Sequence, residues 1–160
     1  MLVNTEAMGT LSYILAAATI FGPSSSDSGN PHDHLACARR LYGEPRALSA
    51  ETWAVATYAL PCGTLVEVCA GGRCVRAPVL DRGPVRARPC LWRVDPDDPK
   101  CSEPGYPMDL DLSYPVAAAL GIADGRGKPT RACRSVRTHG RGRGCAVEWR
   151  VLPARRERVS

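Results

Sequence analysis

Eight cysteines in 160 residues constrain this chain more than any other feature. Cys37, Cys62, Cys69, Cys74, Cys90, Cys101, Cys133 and Cys145 include no Cys-x-x-Cys pair, and His32, His34 and His139 lie toward the edges, so the spacing is not that of a zinc site. No metal and no cofactor is expected. An even cysteine count in a short Gly- and Pro-rich chain reads instead as a disulfide framework, which implies residence in an oxidising compartment, extracellular or periplasmic. Local geometry favours particular pairs among the many possible. Cys69 and Cys74 flank Ala70-Gly71-Gly72-Arg73 and face each other across a predicted hairpin. Cys133 and Cys145 bracket an Arg/Gly-rich loop, Cys90 and Cys101 close a Pro/Asp-rich excursion, and Cys37 with Cys62 is what remains.

A chain of this length suits one domain with an arm or tail. Residues 11 to 22 are apolar, yet the run is shorter than a bilayer span. It has the length of a signal-peptide core but lacks a positive n-region, since Glu6 precedes it and the first basic residue is Arg39. Residues 1 to 33 are therefore expected to be an arm and linker, with 1 to 22 held by a protein partner, followed by a domain over 34 to 153 and a basic tail over 154 to 160. The Ser- and Pro-containing run 22 to 31 supplies the linker composition.

Within the domain, 64 to 69 and 74 to 80 read as paired strands joined at Gly71-Gly72, whose lack of a Cβ suits a hairpin turn. Residues 34 to 42 carry helix-compatible spacing, and the type of the segment from Ser49 to Ala56 stays open. Residues 85 to 107, with Pro89, Pro96, Pro99, Pro104 and Pro107, form an inserted loop. Met108-Asp109-Leu110-Asp111-Leu112 alternates as a strand. Ser113, Pro115 and Gly121 then mark the start and stop of a short helix. Val147, Trp149 and Val151 alternate in a last strand. Short strands, one small helix and no βαβ rhythm predict a mainly β, closed barrel.

Two short runs carry the functional signal, Leu60-Pro61-Cys62-Gly63-Thr64 before one strand and Asp81-Arg82-Gly83-Pro84 after the next. Together with Leu110-Asp111-Leu112-Ser113 and Ala117-Ala118-Ala119-Leu120-Gly121, they resemble the RlpA-like double-psi β-barrel family over residues 42 to 152. That resemblance implies a six-stranded double-psi barrel with one or two short helices. It also implies a groove that binds or cleaves peptidoglycan. In the family's lytic transglycosylases the Asp matching Asp81 is the general acid and base, protonating the glycosidic oxygen and then taking a proton from the sugar's 6-hydroxyl. Such relatives commonly carry a His at the position occupied here by Thr57, which cannot carry a proton at neutral pH. A second carboxylate would have to come from Asp109 or Asp111.

Thr57, Arg82, Asp111 and Trp92 are the candidate substrate contacts, with Trp53 and Trp149 as further indoles and Trp149 expected in the core. Turn chemistry alone also accounts for Asp81, with Arg82 paired to it and Gly83-Pro84 setting the bend. Loss of the His tips the expectation toward a wall-binding or structural module, as in a phage tail or virion component, with an active lytic transglycosylase as the alternative. Residues 126 to 160 carry a local charge of +9 and the first 125 sum to −4, so the basic end expects a polyanionic neighbour. Aromatic residues are 6% of the chain and none lies between Arg134 and Arg143, which argues against base stacking and nucleic acid. Intact mass of alkylated protein tests the framework. Alkylation should add nothing to the native chain and should label all eight cysteines after reduction.

Overall fold

The computed structural model describes residues 13–23, 34–57, 60–82, 108–137 and 143–153. Nine elements follow one another: β1 (Ile14–Phe21), α1 (Ala38–Tyr42), β2 (Val55–Ala56), β3 (Leu65–Ala70), β4 (Arg73–Asp81), β5 (Met108–Ser113), α2 (Tyr114–Ala119), β6 (Ser135–Arg137) and β7 (Arg143–Val151). The strand order is β1-β5-β2-β4-β3-β7-β6, and a further β1–β7 pairing closes the first six into a barrel, with β6 attached outside the ring. Pairing is mixed. β1–β5 and β2–β4 are parallel and the other pairs antiparallel, so crossovers replace the simple meander. The mainly β, disulfide-stapled six-stranded barrel with short helices is thus as expected.

Alternation explains the core. Val66 and Val68 of β3, Ala77 and Val79 of β4, Leu110 and Leu112 of β5, and Val147 and Trp149 of β7 all turn inward and are buried. Truncating a residue such as Leu112 to Ala would open a void costing about 2–5 kcal/mol. Trp149 is a core residue, as its strand position indicates. The β3–β4 turn at Gly71 and Gly72 has φ of 56° and 80°, which only glycine adopts without strain, and it brings Cys69 opposite Cys74.

The N-terminal boundary differs from expectation. Residues 14 to 21, assigned to the arm, form β1 inside the barrel, where Ala16, Ala17 and Ala18 are fully covered between β5 and β7. Small side chains permit that approach. A Cβ on Gly144 of β7 would stand 2.6 Å from the Ala18 carbonyl oxygen, so glycine is required where the two strands meet. The described part of the apolar run is therefore paired within this chain. Among the described residues, no helix is long and apolar enough to cross a membrane.

Other local readings are refined. The open segment from Ser49 to Ala56 contributes only the two-residue β2. Ser113 precedes α2 as proposed, but its Oγ makes no cap bond and instead accepts the Ala54 N–H at 3.0 Å, tying β5 to the entry of β2. Gly121, at φ 76°, closes the helix by donating to Ala118 O. Three of the four expected bridges are present, with Cα separations of 5.4 Å for Cys37–Cys62, 4.1 Å for Cys69–Cys74 and 5.0 Å for Cys133–Cys145. They suit an oxidising compartment. Cys90, Cys101, Trp92, the inserted loop and the basic tail lie outside the described residues.

On the outer face, Glu67 of β3 is in register with Arg76 of β4 and Arg150 of β7. Its carboxylate accepts from Tyr13 Oη at 2.8 Å, Arg150 Nη2 at 2.7 Å and Arg76 Nε at 3.1 Å. The Tyr13 hydrogen bond first, then those of Arg150 and Arg76, hold the Glu67 carboxyl down to about 2. Because an unfolded glutamate titrates near 4.5, the cluster's contribution is complete above that pH and disappears as pH falls through about 2. Denaturant titrations at stepped pH should show this loss in the wild type. Glu67→Gln should cost about 1–3 kcal/mol at neutral pH and flatten the acid limb.

Candidate functional site

Barrel topology brings together the two runs singled out in the sequence, as far as they are described. Gly63 N–H donates to Val79 O at 2.8 Å and Val79 N–H to Thr64 O at 2.9 Å, so the segment before β3 is laced to the end of β4. Arg82 completes the joint. Its Nη1 donates to the carbonyls of Thr57, at 2.9 Å, and Leu60, and its Nη2 lies 3.2 Å from Cys62 Sγ. The guanidinium thus clamps the turn, and among the described residues no ion pair joins it to Asp81. Arg82 was expected as a substrate contact or as the partner of Asp81, and here its donors serve the backbone carbonyls of Thr57 and Leu60.

Asp81 ends β4 beside this joint and is partly exposed. Its Oδ1 accepts two backbone N–H groups, from Ala36 and from Arg82, both at 2.9 Å. Cys37 N–H reaches Leu80 O at 3.0 Å, and the Cys37–Cys62 bridge closes over the same segment. The carboxylate is therefore a strut between residues 34 to 37 and β4. With Oδ1 committed to donors, any proton it delivers would have to ride on Oδ2. The bond to Ala36 also brings the exposed His34 to within two residues of the carboxylate.

Thr57, the position at which the sequence resemblance led to the expectation of a His, is fully buried. Its N–H donates to Asp81 O at 3.2 Å and its carbonyl accepts Arg82, so it holds β2 against β4 rather than presenting a hydroxyl to solvent. Asp111 is placed by the pairing of β5 with β2. Ala56 pairs with Asp81 on one side and with Asp111 on the other, which sets the two aspartate backbones two strand spacings apart, roughly 10 Å. Asp111 Oδ1 accepts from the Thr19 hydroxyl, tying β5 to β1. The Asp109 side chain lies outside the described residues, as does Trp92. Trp53 is 39% exposed but donates its indole N–H to Arg76 O at 2.7 Å, five residues along β4 from Asp81 and thus roughly 16 Å away.

Among the surface clefts lined by described residues are two that do not include Asp81. One, of 560 Å³, lies beside the β3–β4 turn and is lined by Tyr13, Leu15, Arg134 and Glu148 among others. The second, of 460 Å³, lies between β1 and the turns after α2, with Thr19, Thr130, Ser135 and Arg143 in its wall. Sequence reasoning missed the Glu67 cluster and the Arg143 position, because both depend on cross-strand register. Among the described residues, no group of three His, Cys, Asp or Glu side chains stands close enough to hold a metal ion.

The chain matches no protein-family model and no curated protein.

The strut role of Asp81 has a direct test by urea denaturation. Asp81→Asn retains an acceptor for both N–H groups and should change stability by less than about 0.5 kcal/mol. Asp81→Ala strands both donors and should cost about 1–2 kcal/mol.

Proposed function

We propose that this protein is a disulfide-stapled, RlpA-like double-psi barrel module that binds cell-wall peptidoglycan without cleaving it, as a component of an extracellular assembly such as a phage tail. The observation that carries the reading is the meeting of the Leu60–Thr64 and Asp81–Arg82 runs at one end of a closed barrel, with Asp81 left partly exposed there. Absence of turnover is supported by the chemistry of that end. Thr57 stands buried where a proton-carrying His would be needed, and Asp81 is engaged as a backbone acceptor. Asp111 is the further polar group of the reading, its backbone set two strand spacings, roughly 10 Å, from that of Asp81. Three disulfides suit the oxidising surroundings of a cell wall.

Purified chain mixed with sacculi stripped of their anionic polymers should pellet with the wall and release no anhydro-muropeptides on mass analysis. Failure to pellet contradicts the reading. Release of anhydro product that vanishes in Asp81→Asn, a variant expected to stay folded, would replace it with an active lytic transglycosylase using Asp81 as acid and base.

A further inference from the structure

The turns after α2 and the β6–β7 hairpin collect cations on one side of the barrel. Arg126, Lys128, Arg131, Arg134, Arg137 and Arg143 are all exposed, whereas the acids of the described residues from 121 to 153 are Asp124 and Glu148. Asp124 is occupied by its own turn, its Oδ1 accepting the N–H groups of Arg126 and Lys128, both at 2.9 Å. This surface is built on anchored backbone. The Cys133–Cys145 bridge fastens the turns to the ring, Ala146 N–H donates to Arg134 O at 2.8 Å, and β6 pairs with β7 from Ser135 to Arg137.

Within that ladder Arg137 stands directly opposite Arg143. Like charges at such a cross-strand position, with Cβ atoms about 5 Å apart, destabilise a hairpin. Among the described residues neither arginine makes an ion pair, while Arg76 and Arg150 elsewhere on the barrel share Glu67. Arg143 is held in place by donating through Nε to Ser135 Oγ at 2.7 Å and through Nη2 to Ser135 O at 3.0 Å. An anion seated between the two guanidinium groups would remove the repulsion. The two non-bridging oxygens of a phosphodiester can serve both guanidinium groups, as the two oxygens of Glu67 serve Arg76 and Arg150, and a phosphodiester chain repeats that charge along the row of cations. Beside Arg143, the 460 Å³ cleft is lined by Thr19, Thr130 and Ser135, whose hydroxyls bond to Leu110 O, Gly121 O and Arg143 Nε and keep acceptor lone pairs, and no aromatic side chain is among its described lining residues. Hydroxyl-lined walls suit a polyol. They give bases nothing to stack on.

We infer that this face, reached from β4 only across β3 and β7 or around the rest of the ring, is a second binding surface for a linear polyol-phosphate polymer. It stands independently of whether the Asp81 end binds glycan. The test uses the full chain and purified polyribitol phosphate, with a single-stranded oligonucleotide of equal phosphate number and polygalacturonate as competitors. Binding at about 50 mM salt should weaken at least tenfold by about 200 mM. Arg137→Gln should bind roughly tenfold more weakly while folding with stability at or above wild type, since it relieves the opposed pair. Arg126→Gln/Arg131→Gln, remote from the ladder, should also weaken binding and lower its salt dependence. No binding at low salt, unchanged affinity in both variants, or tighter binding of the oligonucleotide or polygalacturonate would overturn the inference. Because the wall-pelleting experiment uses sacculi free of phosphate polymer, failure of either proposal is seen separately.

Discussion

Closure of the ring by β1 is the constraint on which the rest of the molecule depends. Without that strand, β5 and β7 would both present unpaired backbone groups and an open flank of the core. With it, each finds a partner, parallel on one side and antiparallel on the other. The approach depends on side-chain size, with three alanines in β1 and Gly144 opposite them. The same strand, with the residue before it, also orders features of both faces. Thr19 reaches Asp111, Tyr13 caps the Glu67 cluster, and Ala18 to Ile20 form one wall of the cleft beside Arg143.

Two ends of the barrel are organised by different physics. At the Asp81 end, nearly every polar group is spent on holding chain segments together: Arg82 on carbonyls, Asp81 Oδ1 on amides, Thr57 within the interior. Such a site is preorganised, its groups being fixed before any partner arrives. At the β6–β7 side the reverse holds. Cations are gathered on fixed backbone and two of them are set directly against each other, an arrangement that favours a charged partner over self-stability.

Much of this architecture is legible in the sequence because it is local. The Gly71-Gly72 hairpin with its Cys69–Cys74 pair, the alternating strand ending at Leu112 and the short helix after Ser113 are each written within a few residues, whereas Cys133–Cys145 brackets a loop and Cys37–Cys62, 25 residues apart, follows by elimination. β1 is different. A strand covered on both faces has no alternation, and a short continuous apolar run cannot be told by periodicity from a signal core or an arm. Its role emerges only from pairing with segments far along the chain. The directions of Arg82 and the Glu67 partners are hidden for the same reason, since register across strands, and not spacing along them, decides what each side chain meets.

Amide hydrogen exchange along residues 14 to 21 tests the closed ring most directly. Slow exchange of the interior amides of this segment, with protection matching that of the β3 and β4 core, is the outcome that the closed ring requires. Exchange at the rate of an unstructured chain, while β3 and β4 remain protected, would show an open barrel with a detached N-terminal arm and would contradict the account.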